Sequence, residues 1–334
     1  MSISNIIEAF TRKLSKISIV SHVNADIDSF SSAYVLKEII EKYYERKVVY
    51  LVFPNGISYR TRVFLNKSNI PLPFYYSDKI PSSDGIILVD VQSPVQVGSL
   101  SDEVLKYRKR ILVIDHHKAD RGFEEFLWGK IILNEPAACI IIYRISEELG
   151  IELSCISRYL VLAGAIADSR RFKISSANLF RIAYEIISRG GIDYQKVLNA
   201  LHVDKGLSEK IAMIKAYQRC KFYKVADLLI VATYVSTSQA DVANMLINSG
   251  ADLAIVFSRE KNEKTRIILR SSEKFYEATG LDMGGKLIPM LLRVFEGEGG
   301  GHTYAGGLII PMEIENIEHL FLTFILTNLS RMLS

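Results

Sequence analysis

The stretch Ile111-Leu-Val-Ile-Asp115-His116-His117 decides the fold of this chain. Its four aliphatic residues are too few for a helix and are flanked by charged residues, so they predict a buried strand that ends in three polar side chains. In open α/β sheets, ligands bind at the carboxyl ends of the strands. A carboxylate beside imidazoles is a ligand set that suits Mn, Fe, Co or Zn. The stretch alone would equally fit a strand end with a salt-bridged aspartate and two exposed histidines.

Two further aliphatic stretches and one longer apolar stretch also end in polar residues. These residues are His22, Asp26, Asp28, Asp90 and Asp168. If the strands lie parallel in one sheet, the polar ends of three of them meet at one edge. Carboxylates gathered there repel one another unless a cation lies among them. The recurrence therefore favours a metal site over three unrelated, solvated strand ends.

This set of residues resembles the DHH phosphoesterase superfamily, which is named for its Asp-His-His run. Residues 299–307 read Gly-Gly-Gly-His-Thr-Tyr-Ala-Gly-Gly and are similar to the glycine-rich signature of the DHH-associated substrate domain. The resemblance covers nearly the whole chain. The DHH-associated domain occurs in the branches of RecJ-type exonucleases, nano-RNases, pAp phosphatases and cyclic-dinucleotide phosphodiesterases. The chain departs from the family pattern at Ala25, Ile27 and Ser31, where Pro and two Gly are usual, but no ligand is lost.

The resemblance implies a centre of two divalent metal ions, with Mn²⁺ expected and Mg²⁺ or Co²⁺ as alternatives. The ligands of the first metal would be His22, Asp26 and Asp90. The ligands of the second metal would be Asp28, Asp90, His116 and Asp168. The shared Asp90 would bridge the two ions, and a hydroxide activated by both metals would attack the phosphorus atom.

Two residues of the Asp-His-His run would act without binding metal. The resemblance implies that Asp115 supports a neighbouring ligand, because a carboxylate that accepts the free N–H of a ligating histidine fixes its tautomer. His117 would face the substrate phosphate and stabilise the charge that builds on its non-bridging oxygens. Both residues are therefore predicted to contribute to catalysis.

The resemblance also implies a phosphate-binding site in the carboxyl-terminal part of the chain. Its residues would be Arg270, Ser271, Gly299, Gly300, Gly301 and His302. An arginine can bind a phosphate through two hydrogen bonds, and consecutive glycine N–H groups can form an anion-binding nest. The structural alternatives are a plain turn at the glycines and a solvated strand end at Arg270.

Strand and helix patterns alternate over residues 1–192, which predicts a doubly wound, parallel-sheet catalytic domain of the α/β class. Residues 193–221 are expected to form a helical linker. Residues 222–334 are expected to form a smaller α/β substrate-binding domain in which the glycine-rich segment is a loop. Asp28 is expected at the start of a long helix, whose N-cap it could provide. Two domains are the default for 334 residues.

The composition, with 49% hydrophobic and 23% charged residues, is that of a soluble globular protein. A net charge of +4 leaves room for a basic cleft without requiring a nucleic-acid partner. The three cysteines have no pair spacing, which favours free thiols in a reducing compartment. We find no signal-peptide pattern and no apolar run of roughly 18–20 residues, the length that spans a bilayer. Cytoplasmic residence without a membrane partner is therefore expected, and the oligomeric state is left open, with a homodimer as one option.

These features together predict a Mn-dependent phosphodiesterase or phosphatase that hydrolyses short nucleotides, either oligoribonucleotides or pAp. The alternatives are a RecJ-like single-strand exonuclease, a cyclic-dinucleotide or pApA phosphodiesterase, and an exopolyphosphatase-like activity. Inorganic pyrophosphatases share the catalytic set, but their substrate domain lacks the glycine-rich signature. A non-enzymatic replication scaffold is disfavoured, because such relatives lose metal ligands that are all present here.

Overall fold

Two sheets organise the computed structural model of the protein, which describes residues 2–117 and 124–333. They belong to two units, Met1–Val203 and Asp204–Ser334. Each unit has its own hydrophobic core. No helix in these described ranges combines the length and the apolar character that crossing a membrane requires.

The sheet of the first unit contains five strands, all parallel. They are β1 (Lys16–Val20), β2 (Val48–Val52), β3 (Gly85–Val89), β4 (Ile111–Asp115) and β5 (Gly129–Ile132). Their order is β2-β1-β3-β4-β5, so the chain changes direction across the sheet between β1 and β3. Such a switch point opens a crevice at the carboxyl ends of the two strands. The predicted α/β class and the parallel first sheet are confirmed.

Both faces of this sheet are covered, which is why β3 and β4 read as continuous aliphatic runs. Successive residues of β4 alternate between two core clusters, with Leu112 and Ile114 in one and Ile111 and Val113 in the other. The helices of the unit are α1 (Ile3–Thr11), α2 (Ile27–Tyr43), α3 (Tyr59–Lys67), α4 (Ser101–Leu105), α5 (Ala138–Glu148), α6 (Cys155–Asp168), α7 (Ala177–Gly190) and α8 (Tyr194–Leu201).

The second unit is built on a six-stranded mixed sheet in the order β10-β11-β9-β8-β7-β6. Its strands are β6 (Lys221–Val225), β7 (Leu228–Tyr234), β8 (Leu253–Arg259), β9 (Thr265–Ser271), β10 (Glu298–His302) and β11 (Ala305–Ile310). Only β7 and β8 pair in parallel. Its helices are α9 (Leu207–Arg219), α10 (Gln239–Asn248), α11 (Glu273–Thr279), α12 (Ile288–Leu292) and α13 (Ile314–Leu333), with a π-helical turn at Met283–Leu287.

Two local predictions were wrong. The N-cap of α2 is Asp26, whose Oδ1 accepts the N–H of Ser29 at 3.0 Å, whereas Asp28 lies inside the first turn. The glycine-rich segment is not a loop, because Gly299 to Gly301 form most of the edge strand β10. These three glycines have no left-handed backbone angles, so they do not form the alternating nest that their spacing suggested.

A close approach between α6 and α2 leaves little space at Gly164. A Cβ atom at this position would lie 3.0 Å from Asp28 Oδ1, 3.1 Å from Asp28 Cα and 3.1 Å from Cys139 Sγ. A Cβ atom here would therefore require neighbouring atoms, including those of Asp28, to move by a few tenths of an ångström. Packing of α6 and the position of Asp28 are linked through this contact.

We expect Gly164→Ala to lower the free energy of unfolding by about 1–3 kcal/mol, because an added methyl group overpacks this contact. Chemical denaturation followed by circular dichroism measures the change. Gly129→Ala is the matched control, since Leu112 Cδ1, at an ordinary 3.7 Å, is the one described atom that its Cβ would meet within 4 Å. Equal stability of the two variants would contradict the packing argument.

Candidate metal centre

Asp90 occupies the switch point, directly after β3. Its φ of 58° lies in the left-handed region, which non-glycine residues seldom adopt. The sheet holds this conformation, because the Asp90 N–H donates to the carbonyl of Ile114 at 2.9 Å. The turned backbone directs the buried carboxylate between two histidines. Oδ2 lies 3.7 Å from His22 Nε2, and Oδ1 lies 3.5 Å from His116 Nε2.

One group of possible metal ligands consists of His22, Asp26 and Asp90. His22 follows β1, and its Nδ1 donates to the carbonyl of Val23 at 2.8 Å, so Nε2 faces the acids. His22 Nε2 lies 3.9 Å from Asp26 Oδ1. Two atoms that each bind a metal at roughly 2.0–2.2 Å lie up to about 4.4 Å apart. The spacing of this group therefore fits a shared cation.

A second group consists of Asp28, His116 and Asp168. Asp28 is buried in the first turn of α2, and its carboxylate accepts the N–H groups of Ala138 and Cys139 at 2.6 and 3.0 Å. His116 follows β4, and Asp168 is the last residue of α6. His116 Nε2 lies 3.2 Å from Asp168 Oδ2. The three side chains converge from three different elements.

The partner of Asp115 differs from the prediction. Asp115 is fully buried, and its Oδ1 accepts the ring Nδ1–H of His117 at 2.9 Å and the backbone N–H groups of His116 and His117. The ring of His116 donates instead to the backbone carbonyl of Glu135, at 3.0 Å. Asp115 therefore orients His117, while Glu135, which the sequence analysis did not single out, orients the ring of His116.

Within residues 2–117 and 124–333, two buried carboxylate oxygens of this cluster lack hydrogen-bond partners, which fits a bound cation. Oδ1 of Asp90 and Oδ2 of Asp115 are buried without a hydrogen-bond partner among the described residues. Buried polar atoms of this kind are rare and call for an explanation such as an ion. The mixture of carboxylate and imidazole ligands suits Mn²⁺ and its neighbours among the divalent metals.

The charges of the cluster shift the pKa values of its members. Burial works to lower the pKa of His22, but the hydrogen bond and charge of Asp26 raise it to about 9. Burial also works to lower the pKa of His116, and Asp90, Asp28 and Asp168 raise it to about 9. Burial, together with the charges of Asp90 and Asp168, raises the pKa of Asp28 to about 7. Protons therefore compensate the cluster when it holds no metal.

In the second unit, Arg270 and His302 lie on one row of the sheet. Ala305 of β11 pairs with His302 of β10 on one side and with Arg270 of β9 on the other. Directly opposed residues project to the same face, so Arg270, Ala305 and His302 share a face. The guanidinium is fixed, because Nε donates to Asn244 Oδ1 at 3.1 Å and Nη1 donates to the carbonyl of Leu269 at 3.0 Å.

The other residues of the predicted phosphate-binding site, Ser271 and Gly299 to Gly301, differ in burial and in the space around them. Ser271 is buried, and its Oγ has no hydrogen-bond partner in the described part of the chain. A Cβ at Gly299 or Gly301 would collide with β11, so packing alone explains these two glycines. A Cβ at Gly300 would meet no described atom within 4 Å. Gly300 is therefore the glycine of the signature whose surroundings are open.

Residues 16–165 match the protein family described as DHH family, N-terminal domain. The chain therefore contains a DHH family domain, and the predicted resemblance to the DHH family is confirmed for these residues. The matched range ends within α6. The assignment of the second unit to the DHH-associated domain stays a prediction.

Three individual proteins extend this comparison. An uncharacterised protein of Methanocaldococcus jannaschii is 27% identical over 302 residues, which are 90% of this chain and 89% of that protein. A probable manganese-dependent inorganic pyrophosphatase of Staphylococcus aureus is 25% identical over 256 residues, 74% of this chain and 80% of that protein. The crystal structure of an exopolyphosphatase-related protein from Bacteroides fragilis has a TM-score of 0.69 at 18% identity, covering 99% of this chain and 97% of that one, and is similar in fold.

We expect Mn²⁺ binding to release about two protons near pH 7.5, because His22 and His116 have pKa values of about 9 and must be neutral to bind metal. Calorimetric titration in buffers of different ionisation enthalpy measures the release. The affinity for Mn²⁺ should rise with pH up to about 9. Raised histidine pKa values also stabilise the metal-free protein below about pH 6.5, and this contribution is lost as the pH rises through about 9.

His22→Ala should reduce the proton release, whereas His319→Ala, on the exposed part of α13, should leave it unchanged. The same heat of binding in every buffer would contradict this assignment of the raised pKa values to metal ligands.

Proposed function

We propose that this protein is a two-metal phosphoesterase that hydrolyses P–O bonds of short nucleotides with Mn²⁺ as its metal. The observation that carries the proposal is the position of Asp90, whose two oxygens face His22 and His116 at 3.7 and 3.5 Å. A carboxylate placed in this way can bridge two cations. Two metals about 3.5–4 Å apart activate water and stabilise both the attacking and the leaving oxygen of a phosphoryl displacement.

The residues of the first unit would bind the two metal ions. His22, Asp26 and Asp90 would hold one metal, and Asp28, Asp90, His116 and Asp168 the other. The similarity to the probable manganese-dependent inorganic pyrophosphatase of Staphylococcus aureus supports manganese. Mg²⁺ or Co²⁺ would be the alternative, but imidazole ligands suit manganese better than magnesium.

His117 would bind the phosphate that is being transferred. The hydrogen bond from its Nδ1 to Asp115 raises the pKa of His117 and fixes the ring. Its side chain is 47% exposed, so Nε2 is accessible to a ligand. A protonated, oriented imidazole donates to non-bridging oxygens, where negative charge develops.

The second unit would bind the rest of the substrate. An arginine that is already held by Asn244 loses little freedom when its remaining N–H groups bind a phosphate. His302, on the same row, and the buried hydroxyl of Ser271 would add donors. Gly300 would let the phosphate approach the open edge of β10.

An exposed pair of tyrosines favours a nucleotide over a simple polyphosphate. Tyr304 lies in the turn between β10 and β11, and its carbonyl accepts the N–H of Ser271 at 3.0 Å. Its ring contacts that of Tyr276 of α11 with 5.9 Å between the centroids. Both side chains are partly exposed beside the row of Arg270 and His302. Exposed aromatic rings next to phosphate donors are the means by which proteins stack bases.

Inorganic pyrophosphate is the second candidate substrate. The Staphylococcus aureus relative, which is a probable pyrophosphatase, aligns over 74% of this chain. Such a substrate would use the metal centre and the arginine, but it has no base to contact the tyrosines.

We expect Asp90→Asn to lower kcat by at least about 100-fold, more than the loss of a residue that only supports a ligand. Hydrolysis in Mn²⁺ is measured on an RNA dinucleotide, a long RNA, single-stranded DNA, pAp, cyclic di-AMP and pyrophosphate. Asp84→Asn is the control, because this exposed acid lies next to the amino end of β3, and its carboxylate accepts the N–H groups of Ser15 and Lys16. Unchanged turnover in Asp90→Asn would contradict the metal mechanism, and rapid digestion of long DNA would favour a RecJ-like exonuclease.

Tyr304→Ala should raise KM for the RNA dinucleotide at least about fivefold, since stacking of a base on an aromatic ring contributes about 1–3 kcal/mol. KM for pyrophosphate should stay the same. Phe222→Ala removes from β6, at the other edge of the same sheet, an aromatic ring that is also exposed, and should alter neither value. An equal rise of KM for both substrates would show that the tyrosine supports the site without stacking a base.

A further inference from the structure

Glu135 lies between β5 and α5 and contacts the metal centre only through its backbone. Its carbonyl oxygen accepts the Nδ1–H of His116 at 3.0 Å. Because a carbonyl can only accept, Nδ1 must carry the hydrogen, and in the neutral ring Nε2 is then left with its lone pair. Nε2 is the atom that faces Asp90 and Asp168. This backbone group therefore selects the tautomer that can bind a metal.

The side chain of Glu135 is buried and points away from the ligands into a set of donors. Oε1 accepts from Arg144 Nη1 at 3.1 Å and from Asn178 Nδ2 at 2.5 Å, and Oε2 accepts from Ser176 Oγ at 2.6 Å. Arg144 belongs to α5, Ser176 is the N-cap of α7, and Asn178 lies in the first turn of α7. The side chain thus attaches the segment before α5 to two helices.

The same short segment contacts a second ligand. Residues 135–139, here called the β5–α5 segment, end at the first turn of α5. The N–H groups of Ala138 and Cys139 donate to the two oxygens of Asp28 at 2.6 and 3.0 Å. One segment therefore orients two members of the group Asp28, His116 and Asp168, and it does so entirely through backbone atoms.

We propose that Glu135 is a positioning residue for the second metal site: its side chain fixes the β5–α5 segment so that the backbone orients His116 and Asp28. The inference rests on the proposed two-metal centre, which it extends to a residue that touches neither metal nor substrate. A residue that orients a ligand typically changes metal affinity by about 10–100-fold. The effect should be confined to one of the two metals, because the described hydrogen bonds of His22 and Asp26 go to Val23 and Ser29 and not to this segment.

The test is a calorimetric Mn²⁺ titration of the full chain, wild type and Glu135→Ala, analysed for two sites. We expect one site to weaken by about 10–100-fold and the other to keep its wild-type affinity. Glu135→Gln, which keeps the shape and some of the hydrogen bonds, should give an intermediate loss and serves as the test protein if Glu135→Ala does not fold. A second readout is the ¹⁵N-histidine NMR spectrum of the Mg²⁺-loaded protein. The protonated Nδ1 of His116 should give a single signal in the wild type and several signals in the variant.

Glu38 offers a matched control for a purely structural role. Its carboxylate accepts from Ser154 and Ser157, pairs with Lys42 and joins α2 to the start of α6. Glu38→Ala should lower stability while both Mn²⁺ affinities stay at the wild-type values. If Glu135→Ala behaves like Glu38→Ala, Glu135 is only a structural anchor and the inference is overturned. If the wild-type protein itself binds no Mn²⁺, the metal centre and the inference fall together, so the two failures are distinguishable.

Discussion

Repulsion between carboxylates at one edge of a parallel sheet is the constraint to which the first unit is adapted. Asp26, Asp28, Asp90 and Asp168 converge there, and isolated charges of one sign cannot be buried together without compensation. Part of the compensation comes from helix ends. Asp26 is the N-cap of α2 and Asp28 lies in its first turn, where Asp28 also accepts two N–H groups from the start of α5. Positive ends of helix dipoles stabilise such acids. The fold therefore provides charge compensation before any metal binds.

The parallel arrangement of the first sheet and several of its strands could be predicted from the sequence because their signal is local, whereas the order of the strands was not predicted. Runs such as Ile86 to Val89 and Ile111 to Ile114 are continuous and aliphatic, as strands buried on both faces must be. The polar residues that follow them were equally visible, since their spacing along the chain already places them at strand ends. The match of residues 16–165 to the DHH family agrees with this interpretation.

Other features depend on contacts that the sequence does not display. Asp26 and Asp28 both fit an N-cap, and the choice between them depends on Ala138 and Cys139, more than a hundred positions away, which engage Asp28. Glu135 orients His116 through a backbone carbonyl, so no residue type at that position would have revealed the contact. The three glycines of β10 suggested a loop because glycine disfavours strands. Their place in the sheet follows from pairing with β11, which leaves no room for a side chain at Gly299 or Gly301.

The protonation of the cluster bears on which metal it selects. Without metal, His22 and His116 hold protons up to a pKa of about 9, so a cation must displace those protons at neutral pH. Mg²⁺ binds imidazole weakly, so its binding free energy offsets little of the cost of displacing the protons. Mn²⁺ binds imidazole more strongly and offsets more of that cost. The neighbouring acids that raise the histidine pKa values are also the oxygen ligands. The same carboxylates therefore bind the metal and set the preference for Mn²⁺ over Mg²⁺. Selectivity for manganese would then follow from competition with protons as much as from the size of the site.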